Sequence, residues 1–135
     1  MINRQDIRHN SRVLALSNLF CHMFAEEEEI YSTLLYKDEV GSFNYDNDLY
    51  YKIFNGVINN QPEIDSYITA HAPEWPINNI PKIDLIILRI AIFELMIDKT
   101  QEKSIIIDEA VELAKEFGSD TSSKFVHGVL GSVLS

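Results

Sequence analysis

From Ile7 onward the apolar residues Val13, Leu16, Phe20 and Met23 recur at steps of three or four, with Leu19 and Phe24 beside them. One apolar helix face requires this spacing, and it predicts a helix from about Asp6 to Phe24. Glu26 to Glu29 then lead into Ile30, Tyr31, Leu34 and Leu35. This is the pattern of a second, short helix whose acids sit where the helix dipole favours them. Gly41, Ser42 and Asn44 mark a loop, after which Asp46 or Asn47 caps a third helix carrying Tyr50, Ile53, Phe54 and Val57. Pro62 either kinks that helix or starts a new turn, and the pattern resumes at Ile64 and Ile68.

Pro73, Pro76 and Pro81 make continuous helix impossible between His71 and Pro81, so this segment is the expected joint between subdomains. Beyond it, Ile83 to Ile97 is apolar except at Asp84, Arg89 and Glu94. A parallel strand buried on both faces reads similarly, but the run is too long for one and no β-α-β spacing surrounds it, so a helix buried on most sides is expected. Ile106, Ala110, Leu113, Ala114 and Phe117 give the next helix its face, and Gly118 its stop. Ser119 to Ser123 supplies caps for a last helix with Phe125, Val126, Val129, Leu130 and Val133. The expected fold is all-α: three helices in 1–72, a joint at 73–81, and three helices in 82–135, together one domain of 1–135. No internal repeat or heptad array is visible.

Composition narrows the class. With 135 residues, 46% of them hydrophobic, the chain can bury a core as one domain. Cys21 is the sole cysteine, which allows no internal disulfide and fits a cytoplasmic protein. No apolar stretch precedes Asp6 and the apolar run Leu85 to Leu88 is stopped by Arg89, so neither a secretory signal nor a membrane span is expected. The net charge of −10 argues against a nucleic-acid partner until it is resolved along the chain. Residues 1–24 sum to +2, whereas 25–50 sum to −7. Arg4, Arg8 and Arg12, four apart, form one basic stripe on a helix that reaches back to Arg4, and such a stripe can grip phosphates or merely solubilise a helix edge.

Catalytic patterns are missing. The glycines, 41, 56, 118, 128 and 131, form no phosphate-binding cluster. His9, His22, His71 and His127 have no metal-ligand spacing, and Glu26 to Glu29 point to different sides of a helix, so no metal and no cofactor is expected. Cys21 and His22 diverge by about 100° as helix neighbours, and Cys21 reads as a small apolar filler. His127 reads as a partly exposed hydrogen-bonding residue rather than a general base. No enzyme is indicated.

Three stretches in order carry a resemblance. The run from Trp75 to Leu95 (WPINNIPKIDLIILRIAIFEL), the run from Ile107 to Gly118 (IDEAVELAKEFG) and the run from Lys124 to Leu130 (KFVHGVL) are similar to the NusB transcription antitermination family. Arg12, Ala15, Leu19 and Phe20 fit that family's first helix more loosely. The resemblance implies two roughly perpendicular three-helix subdomains and a non-enzymatic role. The family's members pair with NusE, a small-subunit ribosomal protein. The pair binds boxA RNA, and the complex acts with RNA polymerase to suppress termination in ribosomal RNA operons. Some members also self-associate as homodimers.

By the same resemblance, Arg8 and Arg12 lie in the RNA-binding first helix, to which the basic stripe adds Arg4 as a further RNA-binding candidate, Phe20 is its aromatic, and Lys124 and Phe125 complete the RNA surface. Asp84 and Leu88 fall in the helix that meets NusE. His9 and Asn10 stand where the family continues its arginines, and Asp108, His127, Gly131 and Thr121 are further departures. With two or three phosphates neutralised, log affinity should fall with log salt by a slope of only about −2 to −3. The acids of residues 25–50 suit a basic ribosomal protein. Two readings follow: an RNA-binding antitermination factor acting with NusE, or a protein-interaction module that keeps NusE and binds RNA weakly or not at all. A regulatory domain of a ribosomal RNA methyltransferase ranks last, since it needs a longer reading frame.

Overall fold

A computed structural model describes residues 6–24 and 44–135. All regular structure among these residues is helical, as the periodicity predicts. The helix expected around Ile30 to Leu35 and the glutamate run before it lie outside the described residues, as does Arg4. The chain divides into two compact units, Met1–Asn55 and Gly56–Ser135.

In the first unit, α1 spans Ile7–Phe24. Asp6 caps it: its Oδ1 accepts the His9 backbone N–H at 3.0 Å, pairing one of the orphan donors every helix leaves at its start. α2, Asn47–Asn59, begins in the same way, with Asp46 Oδ1 accepting the Leu49 N–H at 3.1 Å. The segment 44–46 ahead of it is tied to α1. Asn10 Nδ2 donates to the Asn44 carbonyl at 2.8 Å, and the Asp46 N–H donates to Ser11 Oγ at 2.6 Å. Val13, Leu14, Leu16, Leu19, Leu49, Tyr50 and Ile53 are buried, and Asn18 Nδ2 reaches the Tyr50 hydroxyl at 2.8 Å.

α2 stops at Asn59 and α3, Gln61–His71, starts one residue later with Pro62 in its first turn, so Pro62 opens a helix rather than kinking one. The reason is local. A proline lacks the N–H that would continue α2, but that donor has no intrahelical partner in a first turn. The proline segment carries a single 3-10 turn, Ile77–Asn79, and Pro81 precedes α4, Lys82–Ile92. It lies inside the second unit.

Phe93–Asp98 continues α4 as a π-helical turn, closed where Lys99 adopts φ 60° and donates its N–H to the Glu94 carbonyl at 3.0 Å. α5, Lys103–Phe117, ends at Gly118, and α6 spans Ser122–Leu134. α4 is the centre of this unit, packed against α3, α5 and α6, and every residue from Asp84 to Ile92 is buried. Arg89 on α4 grips Asp65 on α3 through a fork: Nε donates to Oδ1 at 2.9 Å and one terminal nitrogen to Oδ2 at 3.0 Å. Arg89→Ala is expected to lower stability by about 2 kcal/mol, because it strands a partly buried carboxylate as well as removing a packed stem. Chemical denaturation checks this, and an unchanged midpoint would mean the fork is idle.

Candidate nucleic-acid interface

α1 presents its two described arginines differently. Arg8 is exposed, its side chain 44% accessible, and lies 3.5 Å from Asp46 Oδ2. An exposed pair at that distance holds the guanidinium weakly, by about 0 to 1 kcal/mol, so Arg8 can exchange Asp46 for a phosphate at small cost. Arg12 is 2% exposed and engaged with the protein around it. This corrects the expectation of one continuous basic stripe. Beside Arg12, Asn10 and Ser11 on the same helix are also buried, held by hydrogen bonds to 44–46. The polar face that periodicity assigns to solvent is covered there, and His9 and Asn10 are packed residues rather than weakened phosphate contacts.

Phe20 is half-buried, with its ring centroid 5.0 Å from that of the exposed Phe24. One helical turn thus carries two aromatics at the end of α1.

In the second unit, Lys124 is exposed and Phe125 half-buried, both in the first turns of α6. The expected caps work only in part. Ser122 Oγ accepts the Ser119 N–H at 2.9 Å, but Thr121 caps no helix N–H with its side chain and the first turn contains no acid. The amino end of α6 therefore keeps its positive dipole field, to which Lys124 adds a full charge. His127 is exposed.

Trp75 belongs beside these residues, and the sequence pattern alone does not reveal it. It is 48% exposed, and its ring meets that of Phe125 edge to face, centroids 6.0 Å apart and planes at 70°. Its signal is compositional: the chain's single tryptophan stands between Glu74 and Pro76 in a segment too proline-rich to form a helix.

Asp84 and Leu88 need correction as direct protein contacts. Leu88 is 0% and Asp84 4% exposed, because α4 is surrounded on nearly all sides. Asp84 Oδ1 is buried without a hydrogen-bond partner. Neither side chain reaches the surface.

Among the described residues no group of three His, Cys, Asp or Glu could hold a metal ion, and no helix is long and apolar enough to cross a membrane. What the exposed positions offer is cations and aromatic rings, the chemistry of contact with phosphates and bases.

Comparison with known proteins agrees in kind. The model of the NusB family matches residues 9–135. The transcription antitermination protein NusB of Herpetosiphon aurantiacus is 39% identical over 132 residues, covering 95% of this chain and 90% of that protein. T. maritima NusB superposes with a TM-score of 0.77 at 29% identity, over 98% of this chain and 90% of that one. The crystal structure of antitermination factors NusB and NusE in complex with dsRNA contains a chain of the same fold, with a TM-score of 0.79 at 23% identity over 96% of both chains. The NusB family is one of non-enzymatic antitermination factors. By the extent of the family match and by its relatives, the chain belongs to the NusB family.

Proposed function

We propose that this protein is a cytoplasmic transcription antitermination factor that binds boxA-type RNA together with NusE and supports ribosomal RNA transcription as part of the RNA polymerase antitermination complex. The family match over residues 9–135 carries this reading. Arg8, Phe20, Lys124 and Phe125 are its RNA-contacting residues. Exposed guanidinium and ammonium groups neutralise phosphates, and half-exposed phenyl rings offer faces to unpaired bases. Arg12 serves that surface from beneath by holding α1. Asp84 and Leu88 likewise support the NusE-binding face through the packing of α4 rather than by touching the partner.

With few phosphates neutralised, affinity depends shallowly on salt. Arg8→Ala is expected to flatten the slope of log affinity against log salt by about 0.7 to 0.9, the loss of one phosphate contact, with NusE binding intact. Fluorescence anisotropy of a labelled boxA-type RNA over a salt series reads this directly. An unaltered slope and affinity would remove Arg8 from the interface.

The second reading, a protein-interaction module with little RNA affinity, is favoured by one observation: the burial of Arg12, which leaves Arg8 as the exposed arginine among the described residues of α1. A chain that captures NusE while binding RNA no better than a scrambled sequence would establish it.

A further inference from the structure

We propose that Trp75 and Phe125 form a stacking platform for one unpaired nucleobase, with Lys124 placed for the adjoining phosphate. This deepens the RNA-binding reading and rests on it.

Tryptophan is the side chain that gains most from burial, yet Trp75 leaves about half its surface in water. Its contact with Phe125 is edge to face at 70°. Such a pair occupies one ring face where an offset stack would occupy two, so broad faces stay free for a third ring. Both rings are held by rigid backbone. The Trp75 N–H donates to the Ala72 carbonyl at 3.0 Å within a turn between Pro73 and Pro76, and the Phe125 N–H donates to the Thr121 carbonyl at 3.1 Å at the start of α6. A hydrogen-bonded backbone and a ring braced against its neighbour leave less freedom to lose on binding, which is what a stacking site needs.

Charge then selects the ligand. Lys124 sits in the first turn of a helix, where the dipole disfavours a cation and where no side-chain cap or acid offsets it. An anion next to Lys124 relieves that conflict. Glu74 beside Trp75 and Asp120 ahead of α6 are both exposed and repel a phosphate on their side. The arrangement therefore suits a ligand whose flat part is uncharged and whose charge falls on one side, which describes a nucleotide. The ring faces must be reached by an unstacked base, so single-stranded RNA fits and a continuous duplex does not.

Trp75 is the chain's only tryptophan, so its emission reports on this site alone. The test follows Trp75 fluorescence and the anisotropy of a labelled boxA-type RNA, with the full chain alone and with NusE, the partner's own emission subtracted. The same RNA annealed to its complement serves as control. Single-stranded RNA is expected to quench Trp75 with the same midpoint as the anisotropy rise, and the duplex is not. Trp75→Ala should weaken RNA binding about tenfold, while Trp75→Phe, which keeps a ring and the fold, should stay within about threefold of the parent. An anisotropy rise with Trp75 emission unmoved, and Trp75→Ala binding like the parent, would overturn the platform and leave the RNA reading standing. Absence of any anisotropy rise would overturn both. Emission that responds to NusE but not further to RNA would make this surface a protein contact and overturn the platform as well.

Discussion

Arg12→Ala is expected to destabilise the protein by about 3 kcal/mol, whereas Arg8→Ala, one helical turn away, should change stability by less than about 0.5 kcal/mol. The two arginines share a side chain and differ in surroundings. Arg12 is 2% exposed and engaged, so truncation removes a buried stem and leaves whatever its guanidinium satisfies without a partner inside the protein. Arg12→Lys should recover only part of the loss, since an ammonium cannot reproduce a planar fork of donors. Arg8 gives up only an exposed pair with Asp46. Urea denaturation of the variants measures the difference. If Arg12→Ala instead kept the parent's midpoint and lost RNA affinity, its guanidinium would belong to the RNA surface after all.

A loss of similar size is expected at Leu88. Leu88→Ala should cost about 2 to 5 kcal/mol, the range for removing a fully buried leucine and leaving a cavity at the centre of α3, α4, α5 and α6. Binding of NusE per folded molecule should persist, because the side chain does not reach the surface. Co-purification alone would confuse lost folding with lost contact, so the variant's folded fraction must be measured beside it. Asp84→Lys is a poor probe for the same reason: it places an ammonium where a carboxylate is 4% exposed. A Leu88→Ala protein of unaltered stability that no longer bound NusE would return Leu88 to the interface.

These two cases show how far the sequence could be read. Apolar periodicity located α1 to within a residue, because Val13, Leu16 and Leu19 do face a core. It placed Arg12 at a solvent edge because local spacing carries no trace of packing from distant segments, such as that of 44–46 on Asn10 and Ser11 from more than thirty residues away. The near-continuous apolar run after Pro81 correctly announced a helix buried on most sides. The same observation argues against Leu88 as a surface contact, so the residues themselves were the better guide there than the resemblance.

Gly118 was legible as a helix stop, but for a different reason than the left-handed cap that glycine often supplies. Its backbone is extended, and the glycine is needed because Ser122 occupies the space a Cβ would take. Trp75 was not legible as a site residue because no periodicity governs a proline-rich segment. Its meeting with Phe125, fifty residues on, is a product of the fold.

The chain and NusE together are expected to read boxA-type RNA. The most direct test of this is the anisotropy of labelled boxA-type RNA against a scrambled control, with and without NusE, at two salt concentrations. Preference for boxA is expected, tightened by NusE and weakened only modestly by salt. Binding of NusE with no discrimination between the two RNAs, alone or in the complex, would contradict it.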